Sequence, residues 1–400
     1  MQNSISPEKT HQLDIYSGFP LSIERGSGSM VFDSRGNGYL DFYGGHAVAL
    51  TGHCHPHVVN ALIHQAETLI FYSNSAQNSS RSSCIEALID FAPEHLNKLF
   101  LCTSGSEAND TAIRIAKLYT ERPYVISMKN SFHGRSGNAL AATAISRYRE
   151  RAAHSAHMLL SRFGDLDHSA VLFKRYPGEI AAVLVEPIQS SAGVYQADSN
   201  YFKELAYLAK EQGAILIFDE SQTGFGRCGA SFCAELIGVK PDIITASKGI
   251  ASGLPMGSVF ISQELSAINY SGLLGNTFGG SPLSCAAARA TLEVILRERL
   301  IKNARETGNY LKDTLKQLAL SEIKEIRGEG LLIGIELKSK AGPIIKELFK
   351  RKVLVGSATD GKTIRLLPPL NVSRTECDMF LEALEDALTS VTDITLEQAA

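Results

Sequence analysis

Ala214-Ile215-Leu216-Ile217-Phe218-Asp219 and Ile243-Ile244-Thr245-Ala246-Ser247-Lys248 are the two segments that decide how this chain folds. Each is a short, largely apolar run that closes on a charge. Such a run, without polar alternation, reads as a strand buried on both faces, as in a parallel sheet covered by helices. Asp219 and Lys248 then stand at the carboxyl ends of their strands, and ligands of open α/β sheets bind along that edge. A carboxylate and an amine aimed into one crevice suit a pyridine cofactor. The amine can form a Schiff base, and the carboxylate can hold a ring nitrogen protonated. A structural ion pair at the sheet edge fits the same two residues taken alone.

The pattern continues on either side. From about residue 98 to 260, the runs Lys98–Cys102, Tyr124–Met128, Ala181–Val185, Ala214–Phe218, Ile243–Ala246 and Gly257–Ile261 alternate with segments of helical spacing such as Ala108–Glu121 and Tyr201–Gln212. This alternation predicts an α/β fold with a mostly parallel sheet flanked by helices. The ends read differently. Ser29–Asp33 and Tyr39–Phe42 flank the turn Arg35-Gly36-Asn37-Gly38, a hairpin pattern. After about residue 285 a long helix leads to strands at Leu331–Leu337 and Thr363–Leu367. The expected organisation is a large domain over residues 51–295 and a smaller α+β domain assembled from residues 1–50 and 296–400. No Pro/Ser-rich linker separates them, so they should pack closely.

Composition narrows the class. The 400 residues are 44% hydrophobic and 20% charged, ordinary values for a globular protein. A net charge of −3 carries no nucleic-acid signature. No apolar stretch approaches the ~18 residues of a membrane span. Met1–Glu8 lacks a basic region followed by an apolar one, so it does not read as a secretory signal. Seven scattered cysteines, an odd number, read as reduced thiols of a cytoplasmic protein.

Further candidates lie at the predicted sheet edge. Ser104-Gly105-Ser106-Glu107 opens a helix with capping-box spacing, and such a start attracts anions through its free N–H groups and dipole. Gly105 would let a phosphate approach the backbone, although the same residues also make a plain helix cap. In Ser131-Phe132-His133-Gly134-Arg135 an aromatic ring could stack on a planar cofactor and Arg135 could clamp a carboxylate; a surface loop with a buried Phe fits equally. Glu186 adds a third polar group at the edge, and Gln222 lies in the loop opened by Asp219. Gly275-Asn276-Thr277-Phe278-Gly279-Gly280 is glycine-rich, with a hydroxyl suited to a phosphate. Arg365 lies in an otherwise apolar strand, which is costly unless it meets an anion, from substrate or from the protein. Gly52-His53-Cys54-His55-Pro56-His57 has zinc-ligand residue types, but no second ligand cluster accompanies it, and it reads better as a structured helix start with no metal.

In their order and positions these stretches resemble the class III pyridoxal-phosphate aminotransferases of fold type I, from about Tyr16 to Asp378. Tyr39–Phe42, Gly52–Pro56, Ser104–Asn109, Phe132–Arg135, Glu186–Gln189, Asp219–Arg227, Ser247–Gly249, Thr277–Gly280 and Arg365–Leu370 carry the resemblance. Phe132-His133-Gly134-Arg135 and the absence of large insertions look most like acetylornithine aminotransferases. The resemblance implies a seven-stranded, mostly parallel sheet and pyridoxal 5′-phosphate as cofactor. It implies an N-acylated diamino acid as donor, 2-oxoglutarate and glutamate as the second substrate pair, and a homodimer with a shared active site. In such enzymes the match of Lys248 carries the cofactor and moves the proton. The match of Asp219 pairs with the ring nitrogen, that of Gln222 with the ring hydroxyl, and that of Phe132 stacks on the ring. Gly105, Ser106 and Thr277 match phosphate-binding positions, Thr277 coming from the neighbouring subunit. Arg135, Asn276 and Arg365 match substrate-binding positions, and Glu186 falls among the cofactor contacts. One departure stands out. Many ω-amine enzymes of the class read Glu-Pro-Ile-Gln-Gly-Glu, whereas this chain has Ser190 and Ser191 in the last two places. That glutamate normally pairs with the substrate arginine, so Arg365 is expected to stay unpaired. The Ser-Ser pair also resembles dialkylglycine decarboxylases, which carry tryptophan where Phe132 sits. Another ω-amino-acid aminotransferase, a decarboxylase, a mutase and a non-catalytic cofactor-binding protein are the alternative readings.

Overall fold

Four of the expected strands form over the expected residues: β1 (Lys98–Cys102), β2 (Tyr124–Met128), β6 (Ile243–Ala246) and β7 (Gly257–Ile261). Two others, β4 (Ile180–Val185) and β5 (Ile215–Asp219), differ at their ends by one residue. A seventh strand, β3 (Met158–Ser161), was not among the residue-based expectations. A computed structural model describes residues 11–13, 15, 18–148 and 157–399, the last eight as backbone only. Met1–Glu8, on which the reading of the N-terminus rests, and Tyr16, where the resemblance begins, lie outside the described residues.

The sheet order is β1-β7-β6-β5-β4-β2-β3. The β5 strand is parallel to β6 and β4, β2 is parallel to β4 and β3, and β7 alone runs antiparallel to its neighbours β6 and β1. The fold is therefore α/β with a mostly parallel seven-stranded sheet. Every residue of β4, β5, β6 and β7 is buried. Alternate side chains feed two cores. Val183, Val185, Leu216 and Phe218 enter one; Ala182, Leu184, Ile215 and Ile217 enter the other. This two-sided burial explains why the strands read as unbroken apolar runs, each buried Val, Leu, Ile or Phe contributing ~1.5–3 kcal/mol.

The helix Gly105–Thr120 covers the second core. It buries Ala108, Ala112, Ile113, Ile115 and Ala116, whose mostly small side chains bring it close to the sheet. Beyond the sheet, the single long helix expected after about residue 285 is two helices, Pro282–Arg297 and Leu300–Gln317. The chain reverses between them at Arg299, which holds a left-handed φ of 55°. Neither Gly nor Pro marks this break, so periodicity alone runs through it.

The two ends of the chain meet. Ile23–Ser27, Met30–Asp33 and Gly38–Asp41 form an antiparallel ribbon, and Val353–Leu354 adds to it in parallel, with Val353 opposite Leu40. A second sheet of Ile323–Glu329, Leu332–Leu337, Thr363–Leu366 and Gly356–Ser357 carries Arg365. Arg227, fully buried, ties this sheet to the loop after β5: its Nη1 donates to the carbonyls of Leu331, at 3.1 Å, and Pro368.

Lys248 is placed by a close approach at its neighbour. A Cβ on Gly249 would lie 2.1 Å from Leu50 Cγ, so no side chain fits there without displacing Leu50. Gly249→Ala should therefore destabilise the protein by ~1–3 kcal/mol, the usual cost of overpacking, read as a lower urea midpoint at unchanged slope.

Candidate active site

Asp219 ends β5 and is buried. Its Oδ2 accepts hydrogen bonds from Asn109 Nδ2 at 2.7 Å and His133 Nδ1 at 2.8 Å, and its Oδ1 accepts from the Ser221 N–H at 3.0 Å. A carboxylate can only accept, so the His133 Nδ1 carries a proton. Asn109, on the helix Gly105–Thr120, also donates to the His133 carbonyl at 2.8 Å and accepts from the Thr245 hydroxyl of β6 at 2.6 Å. Burial alone would raise the Asp219 pKa. The hydrogen bond and charge of His133, the nearby Ser221 side chain and the Lys248 amine outweigh it, and the group is held below the usual carboxylate range.

Lys248 follows β6 with a left-handed φ of 51° and opens a single 3₁₀ turn, Lys248–Ala251. Among the described residues it makes no ion pair with Asp219, whose charged neighbour is His133. Burial, together with the Arg365 cation, pushes the Lys248 pKa down against the opposing charges of Asp219 and Glu186. Glu186 lies just beyond β4, accepts from the Phe132 N–H at 2.9 Å, and is pushed up to about 7 by burial and by Asp219.

The Phe132–Arg135 loop packs on the helix start. A Cβ on Gly134 would meet Ser106 Oγ at 2.4 Å, and the Ser106 and Ser136 hydroxyls are 2.7 Å apart. Ser104 caps the helix by accepting from the Glu107 N–H at 3.2 Å. By helical geometry the Gly105 and Ser106 amides have no partner within the helix. Beside Gly105 the Ser221 hydroxyl is buried with no hydrogen-bond partner, and a Cβ on Gly105 would lie 3.1 Å from it. A donor left unpaired at a helix start fits an anionic group there. The Phe132 ring meets Tyr148 edge-on at 5.5 Å, and the Arg135 guanidinium lies 4.6 Å from the Tyr148 ring centroid.

Arg365 faces the crevice from the second small sheet. Its Nε donates to the Ser357 carbonyl at 2.8 Å and its Nη1 to Ser190 Oγ at 3.3 Å. Ser190 in turn donates to Gln222 Oε1 at 3.0 Å. No carboxylate pairs with Arg365 among the described residues. The turn Gly44–Ala47 closes the crevice. All four residues have left-handed φ values of 57°, 56°, 71° and 64°, and a Cβ on Gly44 would come within 2.2 Å of the Leu367 carbonyl oxygen. In this turn His46 bonds the Tyr43 hydroxyl. Its pKa falls to about 3, first through lost hydration and then through the cations of Lys248, Arg365 and Arg135. Those three charges therefore all act on His46.

Not every expected residue joins this cluster. Asn276 Nδ2 donates to Glu107 Oε1 at 3.0 Å, while its Oδ1 caps the N–H groups of Phe278 and Gly279. Thr277 lines a separate surface cavity with Ser73, Arg81 and Leu274. The histidines of Gly52–His57 diverge: His53 bonds Asp41 at 2.7 Å, His55 bonds Glu298 at 2.9 Å and His57 bonds Glu293 at 2.6 Å. Sequence reasoning passed over His133, Asn109, Thr245 and Ser190. His133 sat inside a quoted motif, but only Phe132 and Arg135 had been given tasks there.

A strand-end carboxylate kept ionised, a desolvated lysine, an anion-seeking helix start and an unpaired arginine form the setting that a pyridine cofactor with a phosphate arm needs. The family model for aminotransferase class-III matches residues 15–388. The chain belongs to this family. It is a pyridoxal-phosphate-dependent transaminase of amino-acid metabolism, and its substrates are an amino donor and a keto acid. It is similar to the acetylornithine aminotransferase of Methanocaldococcus jannaschii, 37% identical over 98% of this chain and 99% of that protein. It is also similar to the [LysW]-aminoadipate semialdehyde transaminase of Deinococcus radiodurans, 36% identical over 97% of this chain and 90% of the relative. Among solved structures, the Toxoplasma gondii ornithine aminotransferase, with partial occupancy of PLP at its active site, superposes with a TM-score of 0.90. That pair is 27% identical and covers 96% of this chain and 94% of the other.

Glu186 provides a direct check on the electrostatics. Its folded pKa of about 7 lies above the unfolded value. Such a carboxyl binds its proton more tightly when folded, so it costs nothing below the unfolded range, near pH ~4, and destabilises increasingly as pH rises through the folded value. Glu186→Gln keeps an acceptor for Phe132 and removes the titration. Thermal unfolding of the cofactor-free variant should show a gain over the parent at pH 8 and little change at pH 5.

Proposed function

We propose that this transaminase takes the side-chain amino group of an N-acylated diamino acid of the acetylornithine kind and delivers it to 2-oxoglutarate, by ping-pong exchange at one site. The observation that carries this reading is the pair of arginines, Arg135 and Arg365, whose charges act with that of Lys248 on His46, with no carboxylate on Arg365 among the described residues. Two carboxylate-bearing substrates that take turns in one crevice need such cations, and guanidinium forks bind carboxylates bidentately. The similarity to curated acetylornithine aminotransferases points the same way.

Bound pyridoxal phosphate supplies the electron sink that amino-group transfer requires. The chain does the rest. The amides of Gly105 and Ser106 hold the phosphate at the helix start. Asp219, ionised through His133, Asn109 and Ser221, holds the proton of the ring nitrogen, and Gln222 contacts the ring oxygen. Phe132 stacks against the ring, and Glu186 fixes its loop through the Phe132 N–H. Lys248, its pKa lowered by burial, would hold the cofactor by its amine and would accept and return the migrating proton. Arg365 holds the α-carboxylate of glutamate or 2-oxoglutarate, and Arg135 the distal carboxylate of the donor.

Thr277 and Asn276 share no hydrogen bond with the Asp219–Arg365 network, and in this reading a second copy of the chain brings Thr277 to the cofactor. The exposed apolar side chains of Ile70, Phe71, Leu273 and Phe278 support such a homodimer; the Phe71 and Phe278 rings lie 5.2 Å apart next to Thr277. Six buried, unpaired cysteines support residence in the reducing cytoplasm. Among the described residues no helix is long and apolar enough to cross a membrane.

Colour tests the reading. The protein loaded with pyridoxal phosphate should be yellow, bleach with glutamate and regain its colour with 2-oxoglutarate; no bleaching with any amine would exclude turnover. Lys248→Ala should abolish bleaching. Arg365→Ala should weaken 2-oxoglutarate binding by ~2–5 kcal/mol, read as KM in steady-state kinetics. Because Ser191 supplies no counter-ion to hide Arg365, glutamate should react faster than terminal amines lacking a carboxylate. Equal or faster half-reactions with such amines would contradict the assignment.

A further inference from the structure

Ser190 opens the short turn Ser190–Gly193 and is wholly buried. Its hydroxyl stands between two residues of the proposed site that share no hydrogen bond with each other: 3.0 Å from Gln222 Oε1 and 3.3 Å from Arg365 Nη1. Chemistry fixes the polarity of this chain. A guanidinium has only donors, an amide oxygen only lone pairs, and a hydroxyl a single proton. Arg365 therefore donates to Ser190, and Ser190 donates to Gln222 Oε1. Arg365 cannot turn away freely, since its Nε is held by the Ser357 carbonyl at 2.8 Å. With Oε1 turned toward Ser190, Gln222 presents its NH₂ group on its other side, and that group makes no hydrogen bond among the described residues.

We propose that Ser190 is a positioning residue that locks the Gln222 amide so that it offers a donor, not an acceptor, to the ring oxygen of the cofactor. The inference rests on the reading above, in which Gln222 meets that oxygen. A glutamine amide can otherwise present either end, because its two faces are nearly the same in shape. A fixed donor favours the deprotonated ring oxygen, the form that a neighbouring protonated amine pairs with. The direction comes from Arg365, so the substrate-binding cation also sets the electronic environment of the ring. Glycine at this place, as in the Glu-Pro-Ile-Gln-Gly-Glu pattern of related enzymes, supplies no such lock.

The test is the pH dependence of visible absorption of the protein loaded with pyridoxal phosphate, recorded without substrate. Ser190→Ala and Ser190→Gly should both raise the pH midpoint by about one unit, a tenfold change in proton affinity, and Ser190→Thr should restore it. In a Gln222→Ala background, Ser190→Ala should give no further shift, because its effect passes through Gln222. A Ser190→Ala or Ser190→Gly midpoint equal to the parent's overturns the proposal. So does a shift of the same size in the Gln222→Ala background, which would mean that Ser190 acts by another route. A parent protein that develops no visible band with pyridoxal phosphate overturns the proposed cofactor contacts themselves, an outcome distinct from the other two. Thermal unfolding of each loaded variant separates a local shift from general loss of structure.

Discussion

The crevice depends on one carboxylate kept ionised where water hardly reaches it. Removing an ion from water costs several kcal/mol even after the protein relaxes, and a hydrogen bond to a charged group returns ~1.5–3 kcal/mol. Asp219 collects such bonds from Asn109, His133 and Ser221, with a longer one at 3.4 Å from the Thr245 hydroxyl. The first three donors arrive from the helix that begins at Gly105, from the loop that carries Phe132, and from the loop that opens after β5. Stabilising the charge therefore fixes the relative positions of the elements proposed to grip a phosphate, stack on a ring and contact its oxygen. The site is held together by the same interaction that gives it its chemistry.

Glu186, with a pKa of about 7, can be neutral where Asp219 cannot, because His133 donates to Asp219 and not to Glu186. His46 is held neutral by burial and by the nearby cations of Lys248, Arg365 and Arg135. Clefts lined by one sign of charge and walled by apolar residues concentrate ligands of the opposite sign.

Much of the central sheet was legible in the amino-acid sequence, because strands buried on both faces must be apolar throughout. The β3 strand was not. It lies at the sheet edge, pairs only with β2 and is partly exposed, so Met158–Ser161 carries little pattern. The break at Arg299 was hidden because a left-handed residue there is imposed by packing and not by Gly or Pro. In the site, Asp219 and Lys248 could be picked out because strand ends are predictable positions. Their partners could not. His133 reaches Asp219 across 86 residues, and Ser190 reaches Arg365 across 175, and nothing local in either stretch announces the contact. Arg365 was conspicuous as a charge in an apolar strand; Ser190 stood out only as part of the Ser-Ser departure, with no contact assigned to it.

The left-handed turn Gly44–Ala47 has a mechanical consequence. His46 and Ala47 hold conformations that cost L-residues ~1–2 kcal/mol each, and Gly44 is pressed against the Leu367 carbonyl, two residues beyond Arg365. The turn and the arginine strand therefore move as one piece. A chemical change in the turn, made to admit a longer or shorter donor, would be felt by the acceptor as well. On the function proposed above, side chains that preserve the coil of the turn could change without moving the arginine strand, whereas a change that unwinds it would disturb the positions of both substrates.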